Sequence, residues 1–216
     1  MKVAIIGANG NIGKHLGKTL AERGDEPIGF IRKEEQAPEL NQLGVKTELA
    51  DIIKTEVSEY ASKFQGIDAL IFTAGAGGAG VELTKAVDGD GVTKMIEAAE
   101  QAGIKRFILV SAFPDAGRGM NISESFEFYM KMKRQADVEL AQSALDWTIL
   151  RPGTLTNDEA NGQITLGYAI SYDEIPRDDV ANVIVELLNQ PNTSHKILEL
   201  TKGKTPIQQA VEKYSN

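Results

Sequence analysis

Tyr129 and Lys133 stand four residues apart in a stretch of helical periodicity, so both fall on one helix face about one turn from each other. A phenol beside an ammonium is easier to ionise, and such a tyrosine can exchange a proton near neutral pH. Ser111 closes the apolar run Phe107-Ile108-Leu109-Val110 and brings a hydroxyl that can hydrogen-bond a carbonyl at the same place. The three side chains together suit proton transfer to or from an oxygen that gains or loses charge. The pair alone has little specificity, and the alternative is that Tyr129 packs on a sheet while Lys133 is solvated. Position favours the chemical reading: the pair follows the Ser-bearing strand and precedes Asp146-Trp147-Thr148-Ile149-Leu150-Arg151-Pro152-Gly153.

A second set of residues suits phosphate. A short apolar run over 2–6 is followed by Gly7-x-x-Gly10-x-x-Gly13, and the helical pattern of Ile12, Leu16 and Leu20 then begins. Strand, glycine turn and helix bring a pyrophosphate onto backbone N–H groups at a helix N-terminus. Each glycine is needed where a Cβ would clash, in the turn, against the phosphates or at the helix–strand contact. A nucleotide-triphosphate loop fails on spacing. It needs four residues between its glycines and Ser or Thr after its Lys, whereas five residues separate Gly7 from Gly13 and His15 follows Lys14. Gly7, Asn9, Gly10, Asn11 and Ile12 therefore form the expected dinucleotide loop.

The choice of dinucleotide turns on the end of the next strand. An Asp or Glu there accepts from the 2′-hydroxyl of NAD. Here the sequence is Gly29-Phe30-Ile31-Arg32-Lys33, with no carboxylate before Glu34. Arg32 can pair with a 2′-phosphate, so NADP (NADPH) is expected over NAD; the alternative is a solvated basic pair beside Glu34 and Glu35. After the third strand, Asp51 and Ile52 can hold an adenine amino group and cover its ring, or Asp51 can serve as a helix N-cap.

Strand signals over 27–32, 45–49, 69–73, 106–110, 147–150 and 197–200 alternate with helix signals over 13–23, 84–102, 123–144 and 177–189. That alternation implies an α/β fold: a single-domain Rossmann fold over 1–216, with a doubly wound, mostly parallel sheet and helices on both faces. A small C-terminal portion from about 152 would lie on the substrate side. The 206–211 stretch reads as a terminal helix with Pro206 in its first turn. The 113–121 segment, with Gly117 and Gly119, reads as a substrate-side loop or equally as a plain surface connection. Glycine-rich 74–80 follows a strand directly, where ligands collect in open α/β sheets.

The 216 residues suit one core, and 42% hydrophobic with 25% charged residues is ordinary for a globular chain. A net charge of −8 argues against nucleic acid or an anionic membrane as main partner. Cysteine is absent, which excludes disulfides and thiolate chemistry. No leader and no apolar run near the ~20 residues of a membrane span are apparent, so a cytoplasmic location is expected, as a monomer or weak homodimer acting on a small molecule. His15 reads as solvated and His195 as a turn residue, with no metal site; Met130 and Met132 read as packing.

These segments, with Val87-Asp88-Gly89-Asp90-Gly91 and Arg177-Asp178-Asp179-Val180-Ala181, resemble an atypical short-chain dehydrogenase/reductase. The resemblance is to the small NAD(P)-binding group near the NmrA-like and flavin reductase-like proteins, related to the NAD-dependent epimerase/dehydratases, and covers nearly the whole chain. It implies that Ser111, Tyr129 and Lys133 are catalytic, with Tyr129 as general acid and Lys133 also holding the nicotinamide ribose. It implies further that Ala74, Gly75, Pro152 and Gly153 lie along the cofactor. The family's usual Asn is replaced by Asp88, and a carboxylate cannot donate as an amide does. The segment after Pro152 is short for wrapping a sugar nucleotide, which disfavours epimerase chemistry. Two functions follow from the resemblance. One is an NADP-dependent reductase passing hydride between NADPH and a small carbonyl, imine, quinone or flavin-like acceptor. The other is a catalytically silent NADP-binding sensor or regulatory protein of NmrA-like type.

Overall fold

The structure, a computed structural model, describes residues 1–114, 116–117 and 123–215. Most of the expected loop between Phe113 and Asn121 lies outside the described residues. Strands β1 (Lys2–Ile6), β2 (Glu26–Ile31), β3 (Lys46–Leu49), β4 (Ala69–Phe72), β5 (Arg106–Val110), β6 (Asp146–Pro152) and β10 (Lys196–Lys202) form the parallel part of one sheet. Its order is β11-β8-β10-β6-β5-β4-β1-β2-β3, where β8 (Gln163–Gly167) runs antiparallel to both neighbours and β11 is the two-residue Thr205–Pro206. A separate parallel pair joins β7 (Thr154–Thr156) to β9 (Glu174–Pro176).

Alternation along β1 explains the two layers of helices. Val3 and Ile5 face a core shared with Leu16 and Leu20 of α1 (Asn11–Glu22), Leu40 of α2 (Ala37–Gln42) and Val183, Ile184 and Leu187 of α7 (Arg177–Asn189). Ala4 and Ile6 face the other core, with Tyr60 of α3 (Val57–Lys63), Met95 of α5 (Asp90–Ala102) and Leu140 of α6 (Glu124–Gln142). The sheet is thus doubly wound with helices on both faces. The chain runs outward from β1 through β2 to β3, then crosses back to β4 on the other side of β1. This reversal opens a crevice at the carboxyl ends of β1 and β4.

Several expected elements are amended. The 84–102 helix is three pieces: α4 (Val81–Thr84), a π-helical turn over Lys85–Gly89, and α5. Close packing accompanies the wide turn, since a Cβ on Gly89 would lie 3.0 Å from the Met132 sulfur. Met130 and Met132 are both buried, as packing residues. Pro206 ends β11 and precedes the terminal helix α8 (Ile207–Glu212) rather than entering its first turn. Among the described residues no helix is long and apolar enough to cross a membrane.

Candidate functional site

The glycine loop leaves β1 at the crevice. Gly7 has φ +92°, and a Cβ there would sit 2.5 Å from the Ala74 backbone nitrogen. A Cβ on Gly13 would collide with the Gly7 carbonyl oxygen and with Ala8. Gly10 donates its N–H to Gly7 O (3.0 Å) and precedes α1 with no side-chain cap. The first turn of α1 holds no acidic residue, so its N–H groups remain directed at the space before the helix. A loop so tight that a methyl at Gly7 or Gly13 would strike backbone, ending on uncapped N–H groups, fits a dinucleotide diphosphate. Lys14 is turned away and pairs with Glu39 at 2.7 Å.

A cavity of about 420 Å³ opens from the loop toward β2 and β3, with Asn9, Arg32, Asp51 and Ile52 in its wall. Arg32 stands where β2 ends, its backbone N–H fixed to Gln36 Oε1 at 3.1 Å. Lys33 is engaged by Glu35 at 3.3 Å, whereas Arg32 makes no ion pair among the described residues. The expected basic pair is therefore divided, and Arg32 alone faces the cavity. Asp51 is no helix N-cap, because α3 begins only at Val57 after Glu56. Instead its Oδ1 accepts from the Ile53 N–H at 2.9 Å and shapes a turn that carries Ile52 and Ile53 to the rim. Tyr60, absent from the expected site, floors this cavity. Its hydroxyl donates to Ala50 O at 3.1 Å, and burial pushes its phenol well above the usual range.

A second cavity of about 580 Å³ shares Gly10, Thr73, Ala74 and Gly75 with the first and adds Asn11 and Ile12. Ser111, Tyr129 and Lys133 all border it. They meet there because β5 ends at Val110 and α6 returns over the same strand ends. The inward face of α6 is apolar at buried Ala136 and Leu140, over the sheet, and polar at half-buried Tyr129 and buried Lys133, which border the cavity.

Lys133 is 3% exposed, which excludes a solvated role. Its ammonium donates to Val110 O at 2.9 Å and lies 3.9 Å from Asp88 Oδ1. Asp88, delivered by the π-helical turn, accepts the Ala76 N–H on its other oxygen at 2.9 Å. Burial raises the Asp88 carboxyl against the pull of Lys133 and lowers the Lys133 ammonium against the pull of Asp88. Tyr129 is not easier to ionise, contrary to the expectation from spacing. Burial and the Asp88 and Asp137 carboxylates push its phenol up to about 12. The ammonium that was expected to lower it is turned to Val110 and Asp88.

Asp137 and Arg151 were not among the expected site residues, although Tyr129, Lys133 and Asp137 recur at a spacing of four. Arg151 holds Asp137 Oδ2 through Nε at 2.9 Å and Nη2 at 2.8 Å. Burial raises the Asp137 carboxyl on balance, while the neighbouring Ser111 hydroxyl and Arg151 pull it down. Ser111 Oγ and Asp137 Oδ1 are close neighbours but neither has a well-formed hydrogen bond among the described residues. That leaves Ser111 with unspent capacity at the cavity wall.

Pro152 and Gly153 are buried and border neither cavity. Gly153 donates to Leu200 O at 2.9 Å, and Leu155 is the residue of this stretch that reaches the second cavity. His15 lies on the exposed side of α1 and pairs with Asp178 at 2.7 Å, and His195 occupies a turn with φ 57° before β10. Among the described residues no group of three or more His, Cys, Asp or Glu is placed to hold a metal ion.

Residues 7–191 match a family described as NAD(P)H-binding. The chain is similar to the uncharacterized sugar epimerase YhfK of Bacillus subtilis, with 42% identity over 99% of this chain and 100% of that protein. It is similar to the solved structure of a candidate NAD-dependent epimerase/dehydratase from Bacillus halodurans, at 39% identity, a TM-score of 0.90 and 99% coverage of both chains. It is also similar to ChuY, an anaerobillin reductase from Escherichia coli O157:H7, at 26% identity and a TM-score of 0.78, over 94% of this chain and 97% of that one.

Proposed function

The chain belongs to the NAD(P)H-binding family, among the atypical short-chain dehydrogenase/reductases, and from that premise we propose that it is an NADPH-dependent reductase of a small carbonyl, quinone or flavin-like acceptor. The observation that carries the proposal is the meeting of Ser111, Tyr129 and Lys133 on one cavity that continues from the glycine loop. The similarity to ChuY, itself a reductase, supports the same class of reaction. The cofactor supplies hydride when bound; the chain's own groups hold it and manage the proton. Tyr129, protonated at neutral pH, gives its proton to the acceptor oxygen as negative charge develops there. Ser111 donates its hydroxyl to that oxygen and orients it. Lys133, held by the Val110 carbonyl and facing Asp88, would hold the ribose of the bound cofactor. Arg32 takes the 2′-phosphate and sets the preference for NADPH. The portion from about 152, with β7, β9 and the start of α7, closes the acceptor side as part of the same domain.

A second reading is an NADP-binding sensor without turnover. It is favoured by one observation: Lys133 is committed to Val110 and Asp88 while the Tyr129 phenol is held high. Calorimetric titration with NADPH and NADH, followed by NADPH oxidation with quinones, flavins and small aldehydes, separates the two. Turnover that disappears in Tyr129→Phe while NADPH affinity persists supports the reductase. Tight NADPH binding with no oxidation of any acceptor supports the sensor. Turnover unchanged in Tyr129→Phe overturns the role given to that phenol.

A further inference from the structure

Arg177 opens α7 and borders the second cavity. It is half-buried and anchored by one end only: Nη1 donates to Leu155 O at 3.2 Å and to Asn157 Oδ1 at 2.8 Å. Among the described residues Nε and Nη2 make no hydrogen bond, and no carboxylate lies within ion-pair distance. The two acids beside it in sequence are spent elsewhere. Asp178 pairs with His15 at 2.7 Å, and Asp179 accepts the Gly162 and Asn161 N–H groups at 3.0 and 3.3 Å.

Among the described residues, the charges around the cavity leave this guanidinium uncompensated. Lys133 and Asp88 offset each other, and Asp137 is taken by Arg151. The same cavity is bordered by Phe126 and Tyr129, whose rings pack 5.9 Å apart at 42°, together with Leu155. A cavity bordered by both an aromatic pair and a planar, hydrogen-bonding cation suits a flat ligand with a carboxylate. We propose that Arg177 is an anion-recognition residue for the acceptor, and that the acceptor class is an aromatic or conjugated carbonyl compound bearing a carboxylate. This rests on the reductase reading for the word acceptor, but the binding step does not require turnover.

The test uses 4-carboxybenzaldehyde and its neutral methyl ester as acceptors. The corresponding alcohols, 4-(hydroxymethyl)benzoate and its ester, cannot accept hydride and serve as non-reacting ligands in calorimetry on the NADPH-loaded protein. The wild-type protein is expected to bind the carboxylate about tenfold more tightly than the ester, the scale of one charge-assisted contact. Arg177→Gln should erase that preference, and Arg177→Lys should retain part of it. NADPH affinity, measured on each variant, reports whether the fold and the dinucleotide site survive. No preference for the carboxylate in the wild-type protein overturns the proposal. So does a loss of NADPH affinity in a folded Arg177→Gln protein, which would assign the guanidinium to the cofactor's diphosphate instead. If the carboxylate binds through Arg177 but no aldehyde is reduced, the reductase reading fails while the anion site stands.

Discussion

The Lys133 ammonium lies 2.9 Å from the Val110 carbonyl oxygen and 3.9 Å from Asp88 Oδ1, so the cation nearest the site's tyrosine is held between a strand end and a buried carboxylate. The phenol therefore feels Asp88 and Asp137 more than it feels Lys133. In the cofactor-free protein, the part of the alkaline ultraviolet titration that disappears in Tyr129→Phe is expected near pH 12. A component titrating near neutrality would restore direct activation by Lys133.

Arg32 faces its cavity without an ion pair among the described residues, and its partner in sequence, Lys33, is engaged by Glu35. Arg32→Ala should weaken NADPH binding by about tenfold, the scale of one charge-assisted phosphate contact, and leave NADH within about twofold. Calorimetry with both cofactors checks this, and equal losses for the two would remove the 2′-phosphate from Arg32.

Gly7 combines φ +92° with a Cβ position 2.5 Å from the Ala74 nitrogen. Gly7→Ala is expected to cost about 2 kcal/mol of stability from strain and displacement of the 73–75 backbone. It should also abolish measurable NADPH binding. A variant that melts normally and binds normally would show that the loop is not the diphosphate cradle.

Asp137 is raised above the ordinary carboxyl value by burial, against the pull of Ser111 and Arg151. A group whose folded pKa is raised binds its proton more tightly when folded. Its contribution is full below the unfolded value of 3.8 and is lost as pH climbs through the folded one. The stability of the wild-type protein minus that of Asp137→Asn should therefore fall from about pH 4 toward neutrality. Urea unfolding at a series of pH values measures it. A difference that grows with pH would mean that Arg151 outweighs burial.

Legibility in the sequence follows how local each signal is. The path from β1 through Gly7, Gly10 and Gly13 to α1 is written in adjacent residues, because alternation, turn sterics and the Ile12, Leu16, Leu20 stripe all act within twenty positions. The short α2 and α3 are not, since Leu40 alone or Tyr60 with Ala61 gives no period to read. Strands β7, β8, β9 and β11 have two to five residues each and exist through partners far along the chain. Within the site, spacing put Tyr129 and Lys133 on one face but could not give the direction of the ammonium. That is set by Val110 and by Asp88, forty-five positions upstream. The Asp137–Arg151 pair spans a helix and a strand, and no local pattern joins them.

The π-helical turn over Lys85–Gly89 makes the site sensitive to chain length as well as to side-chain identity. Such a turn holds one residue more than a regular α-helical one. Removing a single residue from it would wind that part of the helix by roughly 100° and carry the Asp88 carboxylate away from both Ala76 and Lys133. Lys133 would then keep only its carbonyl contact, and Tyr129 would lose the first of the two carboxylates that hold its proton. One deletion, with no substitution of Ser111, Tyr129 or Lys133, would thus change the charge that both Tyr129 and Lys133 meet.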